Sequence, residues 1–95
     1  MKIVFLESCR QDLDWLQNYY SAVFPSGHRR AYEQYERAKT FLRHNPHIGH
    51  PLEEAGLREF QISRTPFSFV YRIKDGVIEI VRVWDQRAKR PEKWT

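Results

Sequence analysis

The chain has 95 residues, 41% hydrophobic and 15% aromatic, which suits a single packed domain over residues 1–95 and excludes a disordered chain. Sixteen Lys and Arg against twelve Asp and Glu give a formal charge of +4, and eleven of the sixteen cations are arginine, the residue suited to bidentate contact with phosphate or carboxylate. That balance points to nucleic acid or an acidic protein as partner, beside the plainer reading of a merely soluble basic protein. No apolar run reaches bilayer length and no signal-peptide pattern opens the chain, so a cytoplasmic protein with no membrane partner is expected. The lone cysteine, Cys9, cannot form an internal disulfide, in keeping with a reducing compartment.

Lys2 to Leu6 is β-branched and aromatic and reads as a first strand. Ser8 and Gln11 have capping-box spacing, with Asp12 and Asp14 adding negative charge near a helix start. The helix is expected to run to about Val23. Leu13, Leu16, Tyr20 and Val23 form its stripe, and Trp15, Tyr19 and Ala22 widen it. So broad a face suggests a helix pressed between a sheet and something else. Phe24-Pro25-Ser26-Gly27 makes a loop. A second helix follows over 29–44, with Ala31, Tyr35, Ala38 and Leu42 at helical spacing, and the two should form an antiparallel hairpin. Asn45-Pro46 ends it, and the stretch to Gly56 reads as a long connection.

Three strands complete the chain. In 57–63, Phe60 and Ile62 alternate with Glu59, Gln61 and Ser63. In 67–73, Phe67, Phe69, Tyr71 and Ile73 share a face opposite Ser68, Val70 and Arg72. Lys74-Asp75-Gly76 is a hairpin signal. Val77 to Trp84 places Ile78 and Ile80 on one face and Val81 and Val83 on the other, as for a central strand. The order β-α-α-β-β-β predicts an α+β fold, a helical hairpin packed on one face of an antiparallel sheet.

His44, His47 and His50 recur at three-residue intervals around Pro46, with Glu53 and Glu54 nearby. Pro46 and Gly49 interrupt any regular helix that would converge the imidazoles, so loop histidines are expected and no metal or other cofactor is implied. Cys9 is expected to be a buried, inert thiol. Arg82, Arg87, Lys89, Arg90 and Lys93, interleaved with Trp84 and Trp94, suit phosphate and base stacking, docking of an acidic peptide, or plain solvation. The strand faces are expected to expose Glu59, Gln61, Ser63, Arg64, Ser68, Arg72 and Arg82, rich in arginine but without a compact acid–base pair.

The elements HNPHIGHPL, GLREFQI, PFSFVYRI and IVRVWDQR, specific in combination, resemble the RelE/ParE superfamily of bacterial toxins over essentially the whole length. The resemblance implies the toxin half of a type II toxin–antitoxin pair, associated with growth inhibition and plasmid stabilisation. It also implies a cognate antitoxin, through which alone operator DNA would be bound. RelE-like members cleave messenger RNA on the ribosome with basic residues on the second and third strands, where Gln61, Ser63 and Ser68 stand here. Those departures remove the charge that would stabilise the scissile phosphate. HNPHIGHPL and GLREF look like the ParE branch, whose members poison DNA gyrase. The favoured expectation is a gyrase inhibitor that is not an enzyme. The alternative is a RelE-like endoribonuclease using Arg64, Arg72, Arg82 and Arg87. Contacts to target or antitoxin are expected at Arg64, Arg72, Arg82, Trp84, Arg87, Lys89 and Arg90, with Trp84 or exposed aromatics of the first helix as apolar anchors.

Overall fold

The opening apolar run becomes an edge strand, β1 (Lys2–Phe5), in the computed structural model, which describes residues 1–94. A 3-10 turn (Glu7–Cys9) leads into α1 (Arg10–Asn18), whose path continues as a wider π-helical turn over Tyr19–Val23. A second 3-10 turn (Pro25–Gly27) precedes α2 (His28–His44). Then come β2 (His50–Pro51), β3 (Arg58–Gln61), β4 (Phe67–Lys74) and β5 (Val77–Asp85). The sheet order is β1-β5-β4-β3-β2.

The α+β order is as expected, with two differences in the sheet. It is mixed, because β1 runs parallel to β5 while the other neighbours are antiparallel. It also has a fifth strand inside the stretch that reads as a plain connection. β2 is only two residues and ends in proline, too short for a periodic signal and tolerable only at an edge. Side chains hold it in place: Arg58 donates to the carbonyls of His47 and Gly49, and the Tyr71 hydroxyl donates to Pro46 O at 2.7 Å. The same hydroxyl accepts from Gly49 N at 2.9 Å, and a Cβ at residue 49 would lie 2.7 Å from it. Glycine is required there by contact.

The β4–β5 hairpin turns at Asp75 and Gly76, both at positive φ (52° and 74°), a geometry that matches the right-handed strand twist. Farther along the pair the register slips, with Val70 opposite Arg82 but Tyr71 opposite Ile80, so Val81 is an extra residue in β5. The slip corrects the expected alternation. Val83 joins Ile78 and Ile80 in the core under the helices, while Val81 packs with Val70 and Trp84 on the other side.

β1 stops where Phe5 meets Ile80, leaving the rest of the outer edge of β5 without a strand. The start of the helical segment closes that edge instead. Ser8 Oγ donates to Val81 O at 2.7 Å, and Asp12 accepts from Val83 N at 3.0 Å. The Arg82 fork also donates to the Asp12 carboxylate, at 2.6 and 2.9 Å. The expected Ser8–Gln11 capping box is therefore not formed: the helix N-cap is Cys9, and the Ser8 hydroxyl goes to the sheet. The larger core lies between helices and sheet around Leu42, Phe67, Phe69 and Tyr71. A second cluster on the opposite face joins Leu57, Val70, Val81 and Trp84 to Trp94 of the C-terminal segment. No helix among the described residues is long and apolar enough to cross a membrane.

Removing charge-accepting or buried hydrogen bonds costs about 1–3 kcal/mol each. We expect Asp12→Ala to lower the urea unfolding free energy by about 2–3 kcal/mol and Tyr71→Phe by about 1–2 kcal/mol, since the former leaves Arg82 and a strand N–H unpaired. Equilibrium urea titration of both variants against the parent checks this order.

Candidate functional site

The residues expected at the functional surface fall into two sets, and the division is electrostatic. Four of the arginines are each taken up by a different carboxylate of the same chain. Arg72 meets Glu79 at 2.6 Å across the β4–β5 pair. Arg82 meets Asp12, whose hydrogen bonds raise the arginine pKa further. Arg87 grips Asp85 two residues away, at 2.9 and 2.8 Å. Arg90 reaches Glu59 at 2.8 Å. Arg64 and Lys89, both exposed, make no side-chain hydrogen bond or ion pair among the described residues. A guanidinium already matched by a carboxylate offers a phosphate little uncompensated charge.

Glu59 and Ser68 are not on an exposed strand face, contrary to the sequence expectation. Glu59 is 2% exposed and Ser68 fully buried, and the serine hydroxyl donates to the glutamate at 2.5 Å. The C-terminal segment covers them. Arg90 bonds Glu59 and lies over the Trp94 ring, Trp94 meets Trp84 edge-on at 5.0 Å, and Trp94 N donates to Glu54. Burial alone would push the Glu59 carboxyl up, but the hydrogen bonds from Arg90 and Ser68 outweigh it and bring the pKa below the ordinary value. The basic tail is thus a strap on the sheet, and Trp84, expected as an apolar anchor for a partner, is 8% exposed beneath it.

At the same end of β5, next to Trp84 in sequence, an aromatic corner projects from the helix side. Trp15 Nε1 donates to Asp85 Oδ2 at 2.9 Å, and the Arg87 guanidinium sits 4.3 Å over the Tyr19 ring. Tyr19 in turn touches Trp15, Tyr20, Phe24 and Phe67. The Arg87 hydrogen bonds pull the Asp85 carboxyl down to about 2, against a smaller opposing effect of burial, with Trp15 adding to the pull. Trp15 and Phe24 are exposed. The expected neighbour on the outer side of the helix is therefore not supplied by the described residues of this chain.

The histidines do not converge. His44 Nδ1 lies 2.8 Å from the Thr40 carbonyl, while His50 Nε2 is 3.6 Å from Glu59. Among the described residues no group of three or more His, Cys, Asp or Glu is placed to hold a metal ion. Cys9 is buried, its thiol donates to Leu6 O, and desolvation pushes its pKa up, with Asp12 adding to the rise. Between α2 and β3 runs an apolar groove of about 840 Å³, where Phe41 and Phe60 stack at 5.9 Å. Sequence reasoning missed Asp12, Glu59, Glu79 and Asp85 as the neutralising set. The Asp85–Arg87 spacing, and the Asp75-Gly76 turn that sets Arg72 opposite Glu79, could have signalled two of these pairs.

The family model described as "ParE toxin of type II toxin-antitoxin system, parDE" matches residues 3–90. Among solved structures, the chain is similar to one titled "Chromosomal ParDE TA system from P. aeruginosa", with 27% identity and a TM-score of 0.69. That match covers 87% of this chain and 92% of the other. Among curated proteins, none shows significant similarity to the chain.

Two measurements probe the electrostatics. Because the folded pKa of Asp85 lies below the unfolded value of about 3.9, its stabilisation is complete above that value and is lost as pH falls toward 2. The Asp85→Asn variant should therefore be less stable than the parent at neutral pH and show a shallower loss of stability on acidification, read by urea melts across that window. Arg90→Ala removes the cation that holds Glu59 and lies on Trp94. Its tryptophan emission should shift to the red as the strap loosens, and an unchanged spectrum would argue against that clamp.

Proposed function

Starting from the fact that this chain belongs to the ParE toxin family of type II toxin–antitoxin systems, we propose that it arrests growth by inhibiting DNA gyrase through protein–protein contact. The observation that carries this reading beyond family membership is the neutralised arginine set. Arg72, Arg82, Arg87 and Arg90 are all committed to carboxylates of the same chain. Phosphodiester cleavage on the sheet would need free cations there to meet charge developing on the phosphate, and of the arginines in the ribonuclease alternative only Arg64 is unpaired. Binding a protein target needs a rigid, well-packed surface, and internal ion pairs help to provide one.

A cognate antitoxin completes the reading. Its proposed seat is the groove between α2 and β3, where exposed Phe41 and half-buried Phe60 offer an apolar floor of the kind that accepts one face of an amphipathic helix. An acidic or amphipathic antitoxin also suits the charge of +4. The toxin acts in the cytoplasm, and any operator DNA is reached through the antitoxin.

Purified toxin, free of antitoxin, should block gyrase supercoiling of relaxed plasmid in a dose-dependent manner, and added antitoxin should restore it. Untouched supercoiling at every workable concentration would overturn the gyrase assignment. Message cleavage in a translating extract, lost in Arg87→Ala, would favour the ribonuclease alternative.

A further inference from the structure

The aromatic corner at the end of α1 has features that the arginine pairs and the apolar groove do not account for. Trp15, Val23 and Phe24 are 41%, 58% and 48% exposed, large values for apolar side chains set close together. Isolated apolar residues on a surface mean little, but a contiguous patch with a structured base marks a contact site. Here the base is structured. Tyr19 is wedged between Trp15, Phe24 and the Arg87 guanidinium, and Trp15 is held by its bond to Asp85. The chain makes its π-helical turn at Tyr19–Val23, a departure from regular helix often found at functional sites. Rigid Trp and Tyr supported by Arg are the residue types that dominate binding energy in interfaces.

A second observation bears on the chemistry of the partner. Beside Phe24 lies a hollow of about 760 Å³ lined by Tyr20, Phe24, Arg30, Arg37 and Arg64, with Glu33 as its one carboxylate. Glu33 is itself engaged by Arg29 at 3.4 Å. The three lining arginines are exposed and none has an ion pair among the described residues, unlike the committed set on the sheet. Arg64 also occupies the left-handed region at φ 62°, an unfavoured conformation for a residue with a side chain.

We propose that the Trp15–Tyr19–Phe24 ridge and the adjoining Arg30–Arg37–Arg64 hollow form the surface that grips the toxin's target protein. The occupant is an apolar pocket rimmed by acidic side chains. Phe24 and Trp15 enter the pocket, and the unpaired guanidinia meet the carboxylates at its rim. The identity of the target as gyrase rests on the preceding functional reading, but the assignment of the surface does not depend on it. The groove proposed for the antitoxin borders this surface and shares Arg37 with the hollow, but it includes neither Phe24 nor Arg64.

The test uses the full chain with Phe24→Ser and, separately, Arg64→Gly. The glycine variant removes the charge and relieves the positive φ, so loss of function in it cannot be assigned to a damaged fold. Three readouts are taken: growth arrest on induction without antitoxin, inhibition of gyrase supercoiling, and antitoxin affinity by calorimetry. Each variant should relieve growth arrest and raise the concentration needed to inhibit gyrase by about tenfold or more, with antitoxin affinity and circular dichroism unchanged. Growth arrest at the parent level in both variants would overturn the proposal. So would a parallel loss of antitoxin affinity, which would assign the corner to the antitoxin. If the parent arrests growth without inhibiting gyrase, the gyrase reading falls alone, and the surface is judged by whether the variants relieve the arrest.

Discussion

β5 is an inner strand of the sheet, between β4 and β1, and β1 covers its outer edge for only about half its length. The carboxylate of Asp12 closes the rest, accepting the Val83 N–H and both prongs of the Arg82 fork. An open N–H on a buried strand is costly, and an unpaired arginine beside it would add to that cost. The position of α1 follows from this contact and from Ser8 on Val81 O. So does the placing of Trp15 near Asp85 and of Tyr19 beneath Arg87. The aromatic corner is therefore fixed by hydrogen bonds at the strand edge as well as by apolar packing beneath it.

The same logic explains how a basic chain keeps its sheet quiet. Opposite charges meet the arginines of β4, β5 and the C-terminal strap, from distant segments for Arg82 and Arg90 and from close by for Arg72 and Arg87. Glu59 illustrates the balance, because its burial would be prohibitive without Ser68 and Arg90. The strap in turn shields Trp84, leaving its indole N–H without a partner among the described residues, a small cost set against the Trp84–Trp94 contact. Three uncommitted arginines, Arg30, Arg37 and Arg64, lie elsewhere, around Phe24. Charge was thus sorted by position, with paired arginines supporting the sheet and unpaired ones lining a surface hollow.

Much of the fold was legible in the sequence. Helical spacing at Ala31, Ala38 and Leu42 located α2 to within one residue, and alternation at Phe67, Phe69 and Tyr71 assigned β4 to the helix side. Asp75-Gly76 marked the hairpin because few residue pairs accept two positive φ angles. β2 escaped because a two-residue strand has no period. The faces beyond Val81 were inverted because one inserted residue shifts an alternation of period two. Ser8 misled because a hydroxyl at capping spacing can equally serve a neighbouring strand, and only proximity decides between them.

By itself the sequence determined the order of elements, the turn at Asp75-Gly76, the basic and arginine-rich character, and the motif combination that places the chain among ParE toxins. These depend on local periodicity, local dihedral preference and composition, all of which are written along the chain. Which arginines are free was decided only in three dimensions. Asp12 and Arg82 are separated by 70 residues, and Glu59 and Arg90 by 31. No spacing rule links them, because their meeting depends on strand order and on where β1 happens to stop.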